Sequence, residues 1–185
     1  MPRRPFNDPP AAYLITFRCY GTWLHGDERG SADPDHRGFG EPLHPKEDGL
    51  REWERAQMTQ PPASLDVARR EVVGRTVVEV ADYKGWDLHA VHVRTNHVHV
   101  VVSADRKPEL VMNAFKGYAT GALRKRGLAA ADEKLWSRHG STHYLWDEGD
   151  VWQACQYVWY RQGEPLPGSI PPGLEAPPRE ADDPE

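Results

Sequence analysis

Seven consecutive residues limit what this chain can fold into: His97-Val98-His99-Val100-Val101-Val102-Ser103. β-Branched side chains are stiff at χ1 and fit a pleated surface, so this run reads as a strand. Side chains on a strand alternate faces. His97, His99, Val101 and Ser103 therefore share one side, and Val98, Val100 and Val102 the other. The valine side demands burial against helices. The histidine side presents two imidazoles about 7 Å apart along the strand, near enough to converge on one metal ion.

The flanking sequence places this strand in a repeating pattern. Residues 13–20 have strand composition, with Tyr13, Ile15, Phe17 and Cys19 on one face. After a long stretch dense in Gly, Pro, Asp and His, residues 64–83 show helical spacing. Val73, Val77 and Val80 form its stripe, Ser64 is its expected cap, and Gly85 is its stop. Residues 87–93 are a second strand, joined to 97–103 by a tight hairpin through Arg94, Thr95 and Asn96. Pro108 opens a helix running to Arg126, apolar at Val111, Phe115, Ala119 and Ala122, with Gly127 beyond it. Residues 135–136 and 142–146 read as two short strands or one bent hairpin around His139-Gly140-Ser141. Asp147 to Asp150 can cap a last helix from Val151 to about Gln162, which carries Tyr157 and Tyr160. A β-α-β-β-α-β order predicts an α+β, ferredoxin-like antiparallel sheet with helices on one face.

The expected organisation is a flexible arm over residues 1–12, one domain over 13–163, and a disordered acidic, Pro-rich tail over 164–185. The domain is interrupted by a long loop at about 24–62, within which residues 50–58 form a short helix. A connection of that length is usually functional. Its His25, His36 and His44 are scattered in the manner of solvated loop residues. The tail holds six acidic residues and one Arg, so it carries the whole net charge of −5 and residues 1–163 are neutral. Such a balance neither requires nor excludes a nucleic-acid partner. No apolar run approaches the ~18 residues of a membrane span, and the N-terminus lacks the apolar core of a signal peptide. Cys19 and Cys155 match no metal or redox spacing, which predicts reduced thiols in a cytoplasmic protein.

Two histidines and a helical tyrosine can together attack a phosphodiester. A phenol with a pKa near 10 is about one part in a thousand phenolate at neutral pH. It becomes a useful nucleophile when a metal neutralises the phosphate oxygens. The covalent phosphotyrosine that results conserves the bond for later joining.

Asn96-His97-Val98-His99-Val100-Val101-Val102 resembles the HUH motif (His, bulky hydrophobic, His) of the single-tyrosine HUH transposases, which include the REP-associated tyrosine transposases. The resemblance extends to Thr16-Phe17, to the Phe115-Lys116 helix, to the Trp136–Trp146 segment and to Tyr157, covering most of residues 13–163. It implies a metal-dependent endonuclease and strand transferase acting on single-stranded or hairpin DNA, in a cytoplasmic, nucleoid-associated monomer or homodimer. His97 and His99 would hold Mg²⁺ or Mn²⁺, and Tyr157 would form the 5′-phosphotyrosine, with Tyr160 as the second choice. Lys116, Arg124, Lys125, Arg126 and Arg94 are the candidate DNA contacts. Relatives often carry Gln or Asn one turn after the tyrosine as third ligand; here that position is Arg161, which cannot bind a cation. Gln162 next to it, or Gln153 one turn before Tyr157, would then serve, with Gln162 preferred.

Two other readings differ in chemistry. Histidine-triad nucleotide hydrolases use His-x-His-x-His, but Val101 stands where the third histidine belongs. A structural zinc site needs four closed ligands, and no second Cys or His pair adjoins this one. The alternative is a domesticated, non-catalytic relative that binds DNA without cutting it.

Overall fold

The computed structural model describes residues 9–23 and 48–177; the His25, His36 and His44 positions, residues 1–8 of the expected arm and residues 178–185 lie outside them. The elements are β1 (Ala12–Cys19), α1 (Asp48–Ala56), α2 (Val67–Lys84), β2 (Asp87–Val93), β3 (His97–Ser103), α3 (Pro108–Lys125), β4 (Trp136–Leu145) and α4 (Glu148–Tyr160). The four strands form one antiparallel sheet in the order β2-β3-β1-β4. This is the ferredoxin-like arrangement expected for the element order.

Strand alternation divides the sheet into two faces with different fates. Ile15, Phe17 and Cys19 of β1 and Val98, Val100 and Val102 of β3 meet Val73, Val77 and Val80 of α2 and Val111, Phe115, Ala119 and Leu123 of α3 in the main core. Trp86 and Phe115 meet edge to face there, with ring centroids 5.7 Å apart. Asp66, not Ser64, caps α2: its carboxylate accepts from the Arg69 amide at 2.8 Å. Gly85 ends the helix in the left-handed region (φ 66°), as a C-terminal glycine does.

The opposite face is covered as well. α4 packs there, and Ala154, Cys155 and Val158 join Ala12, Ala90, Val101 and Leu145 in a second, smaller core. Thus α2 and α3 share the first face, and α4 lies across the histidine side.

Residues 136–145 form one continuous strand rather than two short ones or a bent hairpin. Gly140 makes that possible. A Cβ at this position would stand 2.5 Å from the Thr16 carbonyl oxygen and against the Met112 sulfur. Gly140→Ala therefore forces β4 away from β1. The expected cost is about 2 kcal/mol, or a Tm lower by roughly 4–8 °C. Gly117→Ala is the control, because nothing lies within 4 Å of a Cβ there. Thermal melts of the two variants check the contrast.

The segment after α4 departs from the expectation of a disordered tail. Residues 164–177 are packed against the domain by hydrogen bonds to their backbone. The Val93 amide donates to Ser169 O at 2.7 Å, and Arg94 Nη1 to Glu164 O at 2.7 Å. The buried Arg70 guanidinium donates to Pro167 O from Nε and Nη2 at 3.0 and 2.9 Å, and to Leu65 O at 2.7 Å. An acidic, proline-rich composition has no apolar periodicity to advertise such packing. It is held through carbonyls, which every residue has.

Candidate active site

β3 sits between β1 and β2, so each inward residue on its histidine face gains neighbours on both sides. His99 is opposite Thr16 on β1 and His92 on β2, and His97 is opposite Arg18. The two imidazoles of β3 stand with ring centroids 4.7 Å apart and planes at 80°. α4 crosses above them. Its Tyr157 ring meets His99 edge to face, centroids 5.6 Å apart at 84°. Tyr157 is 40% exposed, so it is not an ordinary packed core tyrosine.

Hydrogen bonding orients the rings. His97 Nδ1 lies 2.7 Å from Asn96 Oδ1, an acceptor, so Nδ1 carries the proton and Nε2 keeps its lone pair. His99 Nδ1 lies 2.7 Å from the Thr16 hydroxyl oxygen, which can accept in the same way. His92 Nδ1 donates to Val158 O of α4 at 3.0 Å; its Nε2 is buried with no hydrogen-bond partner. Partners on Nδ1 that leave Nε2 bare are the usual support of a ligating histidine.

The pair is neutral. Burial, followed by the Arg18 guanidinium, pushes His97 down to about 4. Burial, followed by the neighbouring His97 and His92, pushes His99 down to about 3. The Gln162 side chain lies near both imidazoles and opposes these shifts. Gln162 lies just past the end of α4, and its Nε2 donates to Tyr157 O at 3.3 Å. Gln153 and Arg161 are both exposed.

Among the described residues, no three His, Cys, Asp or Glu side chains lie close enough to hold a metal. The groups that could hold one are His97 Nε2, His99 Nε2 and the side-chain oxygen of Gln162, all uncharged. Such a set fits a divalent ion, loosely for Mg²⁺ and better for Mn²⁺.

Tyr160 is placed differently from Tyr157. Its hydroxyl donates to the Pro177 carbonyl, on the segment that follows α4. The basic residues are also divided. Arg94 adjoins the pair, and its charge contributes to the low His97 value. Arg124, Lys125 and Arg126 end α3 on the far side of the sheet, where Lys125 and Arg126 line an α2–α3 groove of about 910 Å³ with Tyr83 and Tyr118. Arg124 donates there to Ala130 O and Glu133 O.

Lys116 is only 7% exposed, and its ammonium donates to Ser137 O at 2.9 Å and His139 O at 3.1 Å. Burial pushes it down to about 8. It fastens β4 to α3 and is not an open cation for phosphate. Lys116→Met is expected to leave the slope of log Kd against log salt unchanged for DNA binding. A true phosphate contact would lower that slope by about 0.7–0.9.

Sequence reasoning gave Arg18, Thr16 and His92 no role in the site. Alternation on β1 and β2 already placed them on the histidine face; the strand register that sets them beside His97 and His99 was the missing piece.

Residues 64–151, just under half of the chain, match the family model of IS200-like transposases. The matched stretch spans α2 to the first turn of α4 and contains both histidines, but it ends before Tyr157. No curated protein matches the sequence. Among solved structures, a REP-associated tyrosine transposase bound to a REP hairpin is 10% identical, with 87% of this chain and 72% of that one covered and a TM-score of 0.44. A protein from Deinococcus radiodurans R1 described as a transposase is 13% identical, with 85% and 95% covered and a TM-score of 0.43. No described helix is long and apolar enough to cross a membrane.

Proposed function

We propose that this chain is a metal-dependent single-stranded DNA endonuclease and strand transferase, acting at hairpin-bearing sites through Tyr157. The observation that carries the reading is the Tyr157 ring set edge-on against His99, beside a second neutral imidazole. The hairpin substrate follows from the family resemblance.

His97, His99 and Gln162 would hold the ion. A divalent ion there supplies charge that polarises the non-bridging oxygens of a phosphodiester. The chain's own residues do the rest. Asn96 and Thr16 hold the two rings so that bare Nε2 atoms face the site. α4 brings the Tyr157 phenol to the same place, which replaces a bimolecular encounter by a positioned one. The Tyr157 oxygen forms a bond to phosphorus and the P–O3′ bond breaks. The phenolic proton is lost to solvent, and the departing 3′ oxygen takes one up. One ester replaces another, so a 3′-hydroxyl can reverse the exchange and rejoin strands.

The test is incubation with hairpin-bearing single-stranded DNA and Mn²⁺, read on a denaturing gel. A covalent protein–DNA species that needs the metal is the expected result. Binding without any adduct favours the second reading, a DNA-holding relative, for which the exposed Arg161 at the family's third-ligand position is the supporting observation.

A further inference from the structure

We infer that Arg18 holds the scissile phosphate, as a guanidinium fork mounted beside His97 and braced on the face of Trp23. The inference rests on the strand-transfer reading and adds to it the residue that grips the anionic group.

Three placements carry it. Arg18 is the cross-strand partner of His97, and alternation along β1 puts it on the same face as Thr16, which holds His99. Its neighbours in the chain, Phe17 and Cys19, point the other way and are fully buried in the main core, so this strand end is anchored. The guanidinium carbon stands 3.4 Å from the centre of the Trp23 ring. Stacking of this kind uses the flat face of the guanidinium and fixes its plane. The N–H donors lie in that plane, at the edge, which is the geometry that meets two phosphate oxygens at once.

The electrostatics of the site call for such a group. The proposed ligands His97, His99 and Gln162 are all neutral, so they bring no charge to oppose a bound phosphodiester and none to assist it. A phosphate undergoing exchange gathers negative charge on its oxygens, and fixed cations aimed at them lower the barrier. Arg18 is a cation on this strand face, half-buried and near enough to depress both histidines. A role in packing alone would not require a guanidinium: Arg18→Lys would then serve as well.

Two measurements test the inference. The first uses ethylation interference on a hairpin oligonucleotide with single-stranded flanks, bound to the Tyr157→Phe protein so that no chemistry intervenes. With Arg18 present, ethylation at the phosphate that unmodified protein cuts should block binding. In the added Arg18→Ala background, interference should vanish at that one phosphate and persist elsewhere. The second is single-turnover adduct formation, where Arg18→Ala is expected to be about 100-fold slower and Arg18→Lys to recover only part of the loss, with Tm values within a few degrees of the parent. Interference that is unchanged by Arg18→Ala, or lost at some phosphate other than the cleaved one, overturns the inference and leaves strand transfer standing. Full activity in Arg18→Lys does the same. A parent protein that binds the hairpin but forms no adduct instead defeats the reading on which the inference rests.

Discussion

Tyr157→Phe is expected to abolish the covalent adduct, a loss of at least about 10³-fold, whereas Tyr160→Phe should stay within a few-fold of the parent. Removal of a nucleophile leaves no substitute chemistry, because the phenylalanine ring keeps the packing and lacks only the attacking oxygen. The two tyrosines are three residues apart, about 60° round the helix from each other, so helical spacing cannot choose between them. The surroundings choose. Tyr157 lies against His99 and is 40% exposed; the Tyr160 hydroxyl is engaged by the Pro177 carbonyl. The check is a denaturing gel of each variant with hairpin DNA and Mn²⁺, accompanied by a melt. Tyr157→Phe should fold normally, since a partly exposed hydroxyl contributes little to stability. An adduct that survives in Tyr157→Phe and disappears in Tyr160→Phe would transfer the role to Tyr160. One that survives in both removes tyrosine attack from this helix.

Much of the sheet was legible because its signals are local. The valines of β3 and the alternation in β2 need no distant partner to be read as strands, and Gly85 and Pro108 mark helix ends by their own backbone preferences. The facing of His97 and His99 followed from the same period of two. What stayed hidden depends on contacts between distant segments. α4 meets the histidine face through Ala154, Cys155 and Val158, side chains too small to form a conspicuous stripe, so the second core had no announcement. β4 looked broken at Gly140, yet that glycine is what lets β4 approach Thr16. Lys116 sits on a helix with an apolar face, and a lysine whose ammonium turns back to two strand carbonyls has the same letter as one in water. His92 and Arg18 were in plain view as residues; what placed them in the site was the register of β1 and β2 against β3.

That register also gives the fold an expected sensitivity to acid. His97 and His99 are held down to about 4 and about 3, chiefly by burial, against about 6.5 in an unfolded chain. Both values are lower in the folded state, so between pH 6.5 and 4 the unfolded chain binds more protons than the folded one. Stability must therefore fall as pH falls through that window, and level off once the folded rings also protonate. Discounting for the solvent that still reaches half-buried His97, the pair accounts for a loss on the order of 4 kcal/mol. The buried His92 and partly buried His89 are shifted in the same direction, also by burial first, and add to the slope. The measurement is Tm from pH 7.5 to pH 4 for the parent and for the His97→Gln, His99→Gln double variant. The variant should lose most of the slope while remaining folded at neutral pH, since Gln keeps a polar group opposite Thr16 and Asn96. A parallel slope in both proteins would show that the two rings are already solvated when folded. The same depression affects a bound ion: protons begin to compete for Nε2 only near pH 4. Mn²⁺ should thus raise the parent's Tm by nearly the same amount at pH 5.5 as at pH 7.5, and should not raise that of the double variant at either pH. A site built from ordinary solvent-facing histidines would lose the ion within that interval.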